Sequence, residues 1–351
     1  MSAAKASTVL DFCRADEAEA VMGFIRDHWS ARHVLARSRP LFDWQHAEPA
    51  AGRCNFVVAR DAAEGIVGML GYIPLSRYDS TLTGAGRETL WLTTWKVRPD
   101  RAHGLGLALL RWLQKAHPEA WIGTTGLNPA TRGLYDALGY ATGLLTRFCL
   151  VNPAIGDYAL ARLPAGFATP PSSGETVLHP LSRGDFRAAT EGLGLDAPPQ
   201  VPLKTRAYVE SRYLAHPFYD YRVFLARRGG LAGLVVTRLC AHDGAVALRV
   251  VDFLGAPEVL AGAGPALAGL LRDTGAEYLD FYCCGLDDEL RAAGLVDCAA
   301  VEGLVLPGHF EPFEPRNVPL LYSLRGPAGR RVICKGDADQ DRPNMLDEVG
   351  A

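Results

Sequence analysis

Residues 98–113 read RPDRAHGLGLALLRWL, which sets a cation, two glycines one residue apart and an apolar run of helical spacing side by side. The cation is Arg101; two residues intervene before Gly104, and one more before Gly106. The first N–H groups of a helix lack intrahelical partners and carry partial positive charge, and glycine lets a large anion approach them. With the full charge of Arg101, the stretch can cradle a diphosphate. The other reading is a strand-to-helix turn that needs glycine for its backbone angles, with the arginine in solvent.

A second motif, GLNPATRGLYDALGY (126–140), puts Asn128 at a helix cap, Tyr135 one turn before the helix end and an LGY stop after it. A third cluster, DHWSARHVLARSRPLFDWQH (27–46), is dense in groups able to hold a polar ligand: His28, Trp29, His33, Arg37, Asp43, Trp44, Gln45 and His46. His28 and His33 are five apart and do not align on one helix face, which argues against a metal pair. Trp29 and Trp44 offer a platform for a sugar ring or a base, or else belong to the core.

Elements must position these groups. Residues 55–60, 65–73 and 88–97 read as strands, because β-branched and aromatic residues cluster between turn formers. Leu105, Leu109, Trp112, Leu113 and Ala116 then share a helix face, ended by His117-Pro118. A strand (120–126), a helix (about 129–138, stopped by Gly139) and a strand through Phe148 and Leu150 follow, which is a mixed α/β architecture. After a Pro-, Gly- and Ser-rich stretch at 161–175 the same order returns: strands at 221–227, 231–239 and 245–254, a helix at 264–273, a strand at 277–283 and a short helix ending at Gly294. This reads as a structural duplication.

Bulk properties set the outer bounds. The chain has 351 residues, long for one core, with 48% hydrophobic and 21% charged residues and a net charge of -3. That charge offers no global attraction to nucleic acid or an anionic membrane. The N-terminus lacks the apolar core of a signal peptide and no window approaches a bilayer span, so a cytoplasmic protein is expected. Eight cysteines without C-x-x-C spacing suggest reduced, mostly buried thiols rather than zinc sites or disulfides.

The two motifs together resemble the GNAT superfamily of acyl-CoA-dependent N-acyltransferases over roughly residues 8–151. Val97 ending a strand, Arg101, Gly104, Gly106, and Asn128 with Tyr135 and LGY carry the resemblance. It implies that the loop Ala102, His103, Gly104, Leu105, Gly106 and Leu107 binds the pyrophosphate of acetyl-CoA or another acyl-CoA. It also implies that Val97 and Asn128 meet the pantetheine, and that Tyr135 protonates the departing thiolate. The competing reading of Tyr135 is a packed aromatic. The preceding strand is expected to splay from the next, through a bulge near Trp95–Val97 that frees a backbone N–H to polarise the thioester carbonyl.

Amine attack requires a proton acceptor. Many family members keep a glutamate on the strand before the cradle, but LWLTTWKV has none, and Glu88 lies close to the strand start. His33 or Asp43 is the candidate base. His28, Trp29, Arg37, Trp44, Gln45, Thr94 and Trp95 are the candidate acceptor contacts. No nucleophile is evident, so direct transfer in a ternary complex is expected, without a metal.

The second copy lacks a cation between Asp252 and Arg272, carries Glu258 in its loop and has no tyrosine where Tyr135 would align, so it should not bind CoA. It would instead cover the acceptor side or make an oligomer interface, and Arg212, Tyr213, His216, Tyr219 and Tyr221 could serve as acceptor contacts or as structural groups. Asp337, Asp339, Asp341 and Glu348 mimic an EF-hand, but Arg342 replaces the glycine that the loop needs. The expectation is two tandem GNAT-like domains: a catalytic domain at 1–160, a linker at 161–175, a degenerate copy at 176–332 and a tail at 333–351. The tail and HWSARH…LFDWQ also resemble tandem N-acyltransferases of surface-polysaccharide and amino-sugar pathways, which implies a nucleotide-linked amino sugar as acceptor, with a homodimer as one possible assembly. Other small amines, an aminoglycoside or a peptide N-terminus are the enzymatic alternatives. A non-catalytic acyl-CoA binder is the alternative of another class.

Overall fold

The computed structural model describes residues 8–84, 86–171, 173–198, 200–326 and 329–346. Contacts divide the chain into two units: Met1–Pro74, Gly84–Thr124 and Arg342–Ala351 form the first, and Leu75–Thr83 with Thr125–Asp341 the second. No helix among the described residues is long and apolar enough to cross a membrane.

In the first unit the strands β1 (Val9–Arg14), β2 (Arg53–Asp61), β3 (Gly65–Pro74), β4 (Thr89–Val97) and β5 (Trp121–Thr125) lie side by side in that order. The first three pairings are antiparallel and β4–β5 is parallel. Helices α1 (Ala18–His28), α2 (Val34–Arg37) and α3 (Arg39–His46) come between β1 and β2. Phe42 of α3 stacks on Phe56 of β2 with ring centroids 5.5 Å apart, which fixes α3 on one sheet face. Helix α4 (Ala102–Ala116) covers the other face, where Leu109 and Leu113 are buried and Trp112 meets Phe12 edge-on at 4.7 Å. Ala116, expected on this apolar face, is exposed, because the helix is ending there and His117 takes the inward position.

The second unit repeats the plan. Strands β6 (Ala141–Leu144) and β7 (Thr146–Val151) follow the short helix α5 (Arg132–Ala137), and β8 is Val177–Leu181. Then come β9 (Arg222–Arg228), β10 (Leu231–His242), β11 (Ala245–Gly255), α6 (Gly264–Thr274), β12 (Tyr278–Cys284) and α7 (Asp287–Ala292). Again three antiparallel strands precede a helix, and the strand after the helix pairs in parallel, β11 with β12. The strand read as closing the first repeat, β7, pairs with β12 in this second sheet, where Phe148 and Phe281 share a buried core.

The parallel pair β11–β12 holds register only from Leu248↔Leu279 to Val250↔Phe281. Beyond it the chain's own residues fill the gap: Cys334 pairs with Cys283, Lys335 N–H donates to Tyr282 O at 3.1 Å and Gly336 N–H to Val251 O at 2.7 Å. A Cβ at Gly336 would meet Tyr213 Oη at 2.5 Å, so only glycine threads this slot. Lys204 Nζ, wholly buried, donates to Asp252 at 2.6 Å and Asp337 at 2.9 Å, while Arg238 forms a two-point pair with Asp341. Asp337 and Asp341 of the tail therefore neutralise buried cations. Asp252, Cys334 and Asp337 lie within 4.8 Å of one another, but the Lys204 ammonium already serves the two carboxylates of that trio.

All eight cysteines are free thiols, and all but Cys284 are buried.

Candidate active site

The glycine turn of the first unit has the conformation that its sequence requires. His103 (φ -64, ψ 91) leaves the helical region and Gly104 (φ 76, ψ -9) is left-handed, so the regular part of α4 begins after Gly104. A residue with a Cβ would be strained there by about 1–2 kcal/mol. No side chain caps this helix start, and Ala102, His103, Gly104 and Leu107 are exposed. The turn is thus open to solvent. At Gly106 a Cβ would lie 3.4 Å from Trp95 Nε1, so α4 approaches β4 closely enough to bring the loop beside Trp95. Val97 packs next to Gly68 on the same side.

Arg101 sits just ahead of the turn, but its guanidinium is engaged: Glu64 is at 2.9 Å, Asp61 at 3.5 Å and Asp100 at 3.7 Å. An anion bound at the turn would share Arg101 with three carboxylates.

Strands β4 and β5 are paired only at Thr89↔Trp121, Leu90↔Ile122 and Trp91↔Gly123. Past that point β4 runs on to Val97, and the connection is a side-chain bond, Thr124 Oγ1 to Leu92 O at 3.1 Å. The strands therefore part toward the glycine turn, as expected. The bulge that accompanies this lies at Thr93–Thr94 rather than at Trp95–Val97: Leu70 faces Trp95 and Tyr72 faces Leu92, leaving two residues of β4 opposite Gly71. Gly71 sets that position, since a Cβ there would lie 2.7 Å from both Phe56 and Thr93 Oγ1. The hydroxyls of Thr93 and Thr94 are buried at the bulge and have no hydrogen-bond partner, and the indole N–H of Trp91 is buried and unpaired as well. Donors left open at a strand bulge can polarise a carbonyl. Thr94 was a sequence candidate; Thr93 and Trp91 were not, and their only signal was a TT pair inside an otherwise apolar strand.

The segment 27–46 is less concentrated than its sequence suggests. His28 and Trp29 are exposed at the end of α1, with His28 against Phe24 (4.7 Å) and Trp29 against His33 (5.4 Å). His33 caps α2: its Nδ1 accepts from Leu35 N–H at 3.2 Å, and Arg342 Nη2 lies 3.3 Å from Nε2. Burial, helped by the Arg342 charge, pushes the His33 imidazole down to about 3, so in this state it holds no proton at neutral pH and attracts one weakly. The Arg37 guanidinium donates to the carbonyl of Leu346. His33 and Arg37 thus anchor residues 342–346 to α2. Asp43 is bonded through both oxygens to Arg39 Nε at 2.9 Å, Trp44 is half-buried and Gln45 is buried with Oε1 unpaired. His46 is wholly buried beside the stacked pair Phe42 and Phe56.

Asn128 and Tyr135 belong to the second unit. Asn128 Oδ1 caps its own turn by accepting from Ala130 N–H at 2.9 Å. Tyr135 is buried edge-on against Tyr140 at 5.2 Å, and burial raises its phenol above the ordinary tyrosine range.

No family model matches the chain and no curated protein matches it in sequence. Among solved structures it is similar to a GCN5-related N-acetyltransferase from Anabaena variabilis, with 12% identity, a TM-score of 0.52, and coverage of 91% of this chain and 72% of that one. A GCN5-related N-acetyltransferase from Kribbella flavida gives 15% identity, a TM-score of 0.48 and coverage of 91% and 71%. A putative acetyltransferase from Pyrococcus horikoshii gives 12%, 0.47, and 94% and 93%. At these identities the likeness is one of fold, and the Anabaena variabilis structure carries it: the chain has the mixed α/β fold of a GCN5-related N-acetyltransferase.

Proposed function

We propose that the protein is an acyl-CoA-dependent N-acyltransferase that passes an acetyl or other acyl group directly to a small-molecule amine. The observation that carries this reading is the parting of β4 and β5 beside the uncapped glycine turn before α4. A slot between strands suits a flexible pantetheine arm, and the turn at its mouth suits a diphosphate. Ala102 to Leu107 would hold the pyrophosphate through backbone N–H groups. The open hydroxyls of Thr93 and Thr94 would face the thioester carbonyl; the roles of Asn128 on the pantetheine and of Tyr135 on the leaving thiolate rest on the motif alone. Holding both substrates together supplies much of the acceleration.

The acceptor that we propose is the amino group of a nucleotide-linked amino sugar, on the strength of the sequence resemblance in 28–46 and the tail. The base stays outside the proposal as far as His33 and Asp43 are concerned: one has too little basicity where it sits, and the other is committed to Arg39.

Thiol release from acetyl-CoA, followed with a panel of amines, tests both levels. Release with amino-sugar nucleotides is the expected result. Release with other amines only would remove the proposed acceptor, and CoA uptake without release from any amine would leave a binder rather than an enzyme.

A further inference from the structure

The second unit carries a cleft of 290 Å³ that the proposed chemistry does not use. It opens between the chain entering β9 and the β10 strand, with Phe218, Tyr219, Arg222, Arg238, Phe310 and Glu311 among its walls. A site of that volume is at the small end of ligand pockets, enough for a metabolite of amino-acid size.

Its walls are held in place from behind. Tyr219 has the Arg238 guanidinium 4.0 Å over its ring and the His216 ring stacked on it at 17° and 5.7 Å. His216 Nδ1 accepts from the N–H groups of Phe218 and Tyr219 at 3.2 and 2.9 Å, which fixes the turn that presents them. Tyr219 Oη donates to Glu311 at 2.6 Å, and Arg238 is clamped by Asp341. A π-helical turn, Glu210–Leu214, leads into this segment, an irregularity often found at functional sites.

Against that rigid frame Arg222 stands apart. Its side chain is exposed on the cleft wall and makes no ion pair or hydrogen bond among the described residues. The lining also holds two carboxylates, Asp220 and Glu311. Those acids repel phosphate groups, which excludes a nucleotide. One open guanidinium, two carboxylates and aromatic walls instead match a molecule with one anionic end, one cationic end and an apolar body.

We propose that this cleft binds a free α-amino acid with an apolar side chain: its carboxylate pairs with Arg222, its ammonium with Asp220 and Glu311, and its side chain packs against Phe218 and Phe310. Binding here is independent of acyl transfer and requires no acyl-CoA. Calorimetry on the full chain with L-phenylalanine, L-leucine, N-acetyl-L-phenylalanine, L-phenylalaninamide and inorganic phosphate tests it. Saturable uptake of L-phenylalanine or L-leucine is expected, tenfold or more weaker once either end is capped, and lost to the same extent in Arg222→Ala. Arg222 is exposed and unpaired, so that variant should melt like the parent and turn over acyl-CoA unchanged. Absence of uptake of either amino acid, equal uptake of the capped forms, or unchanged uptake by Arg222→Ala would overturn the assignment. Phosphate binding in place of the amino acids would overturn it as well.

Discussion

Glu64 stands between Arg101 and the role that we propose for it. The pair is partly exposed, so it contributes at most about 1 kcal/mol. Glu64→Gln would release the guanidinium toward an anion at the turn, and acyl-CoA affinity measured by calorimetry should rise by roughly two- to fivefold. A fall would mean that Glu64 aims Arg101 rather than withholding it. Tyr135 presents the opposite case. Burial holds its phenol above the ordinary tyrosine range, so it is protonated at neutral pH but donates its proton less readily than a free phenol, and the motif alone gives it the acid's role. Tyr135→Phe should therefore lower kcat by roughly 10²-fold or more with little change in CoA affinity. Equal kcat would reduce Tyr135 to the packed aromatic partner of Tyr140.

The elements were the most legible part of the sequence, and the junctions between them the least. Clusters of β-branched and aromatic residues between turn formers locate β2, β3 and β4 to within two residues, and the helix face of α4 is visible in Leu105, Leu109 and Leu113. The left-handed turn followed from Gly104 because few other residues accept that backbone. The bulge was misplaced because its cause is not on β4: Gly71, on the neighbouring strand, decides which residues have room to crowd. His33 and Arg37 looked like ligand contacts since a sequence window cannot show that residues some 300 positions away come back to bond them. Gly71→Val tests the junction directly. Its branched side chain would press into Phe56 and Thr93, and overpacking of this kind costs about 1–3 kcal/mol, read from denaturant melts. Acyl transfer should fall beyond what that loss of stability explains, because Thr93 and Thr94 would be displaced.

On the scale of the whole molecule, the second unit keeps the plan of the first but closes its slot with Ile333–Asp337. The plug brings charge into the interior. Lys335 Nζ is wholly buried and donates to Gly308 O at 2.9 Å; burial, with Arg249 adding to it, pushes the ammonium down to about 7. An unfolded lysine keeps its proton to near 10.5. Between those limits the unfolded chain binds more protons than the folded one, so raising the pH favours folding, by up to ~1.4 kcal/mol per pH unit from this group. Below the folded value both states are charged and the slope from Lys335 vanishes. Denaturant melts of the parent and Lys335→Met at neutral pH and above should differ in slope in that direction. Identical slopes would show that Lys335 stays charged inside the fold.

The return of residues 342–346 to α2 has one more consequence, which concerns time rather than energy. A ribosome adds these residues only after it has completed every segment of the second unit. The bonds from Arg37 to Leu346 and between His33 and Arg342 can therefore form only after the whole second unit has been made. The first unit, begun before the second, is completed only after it.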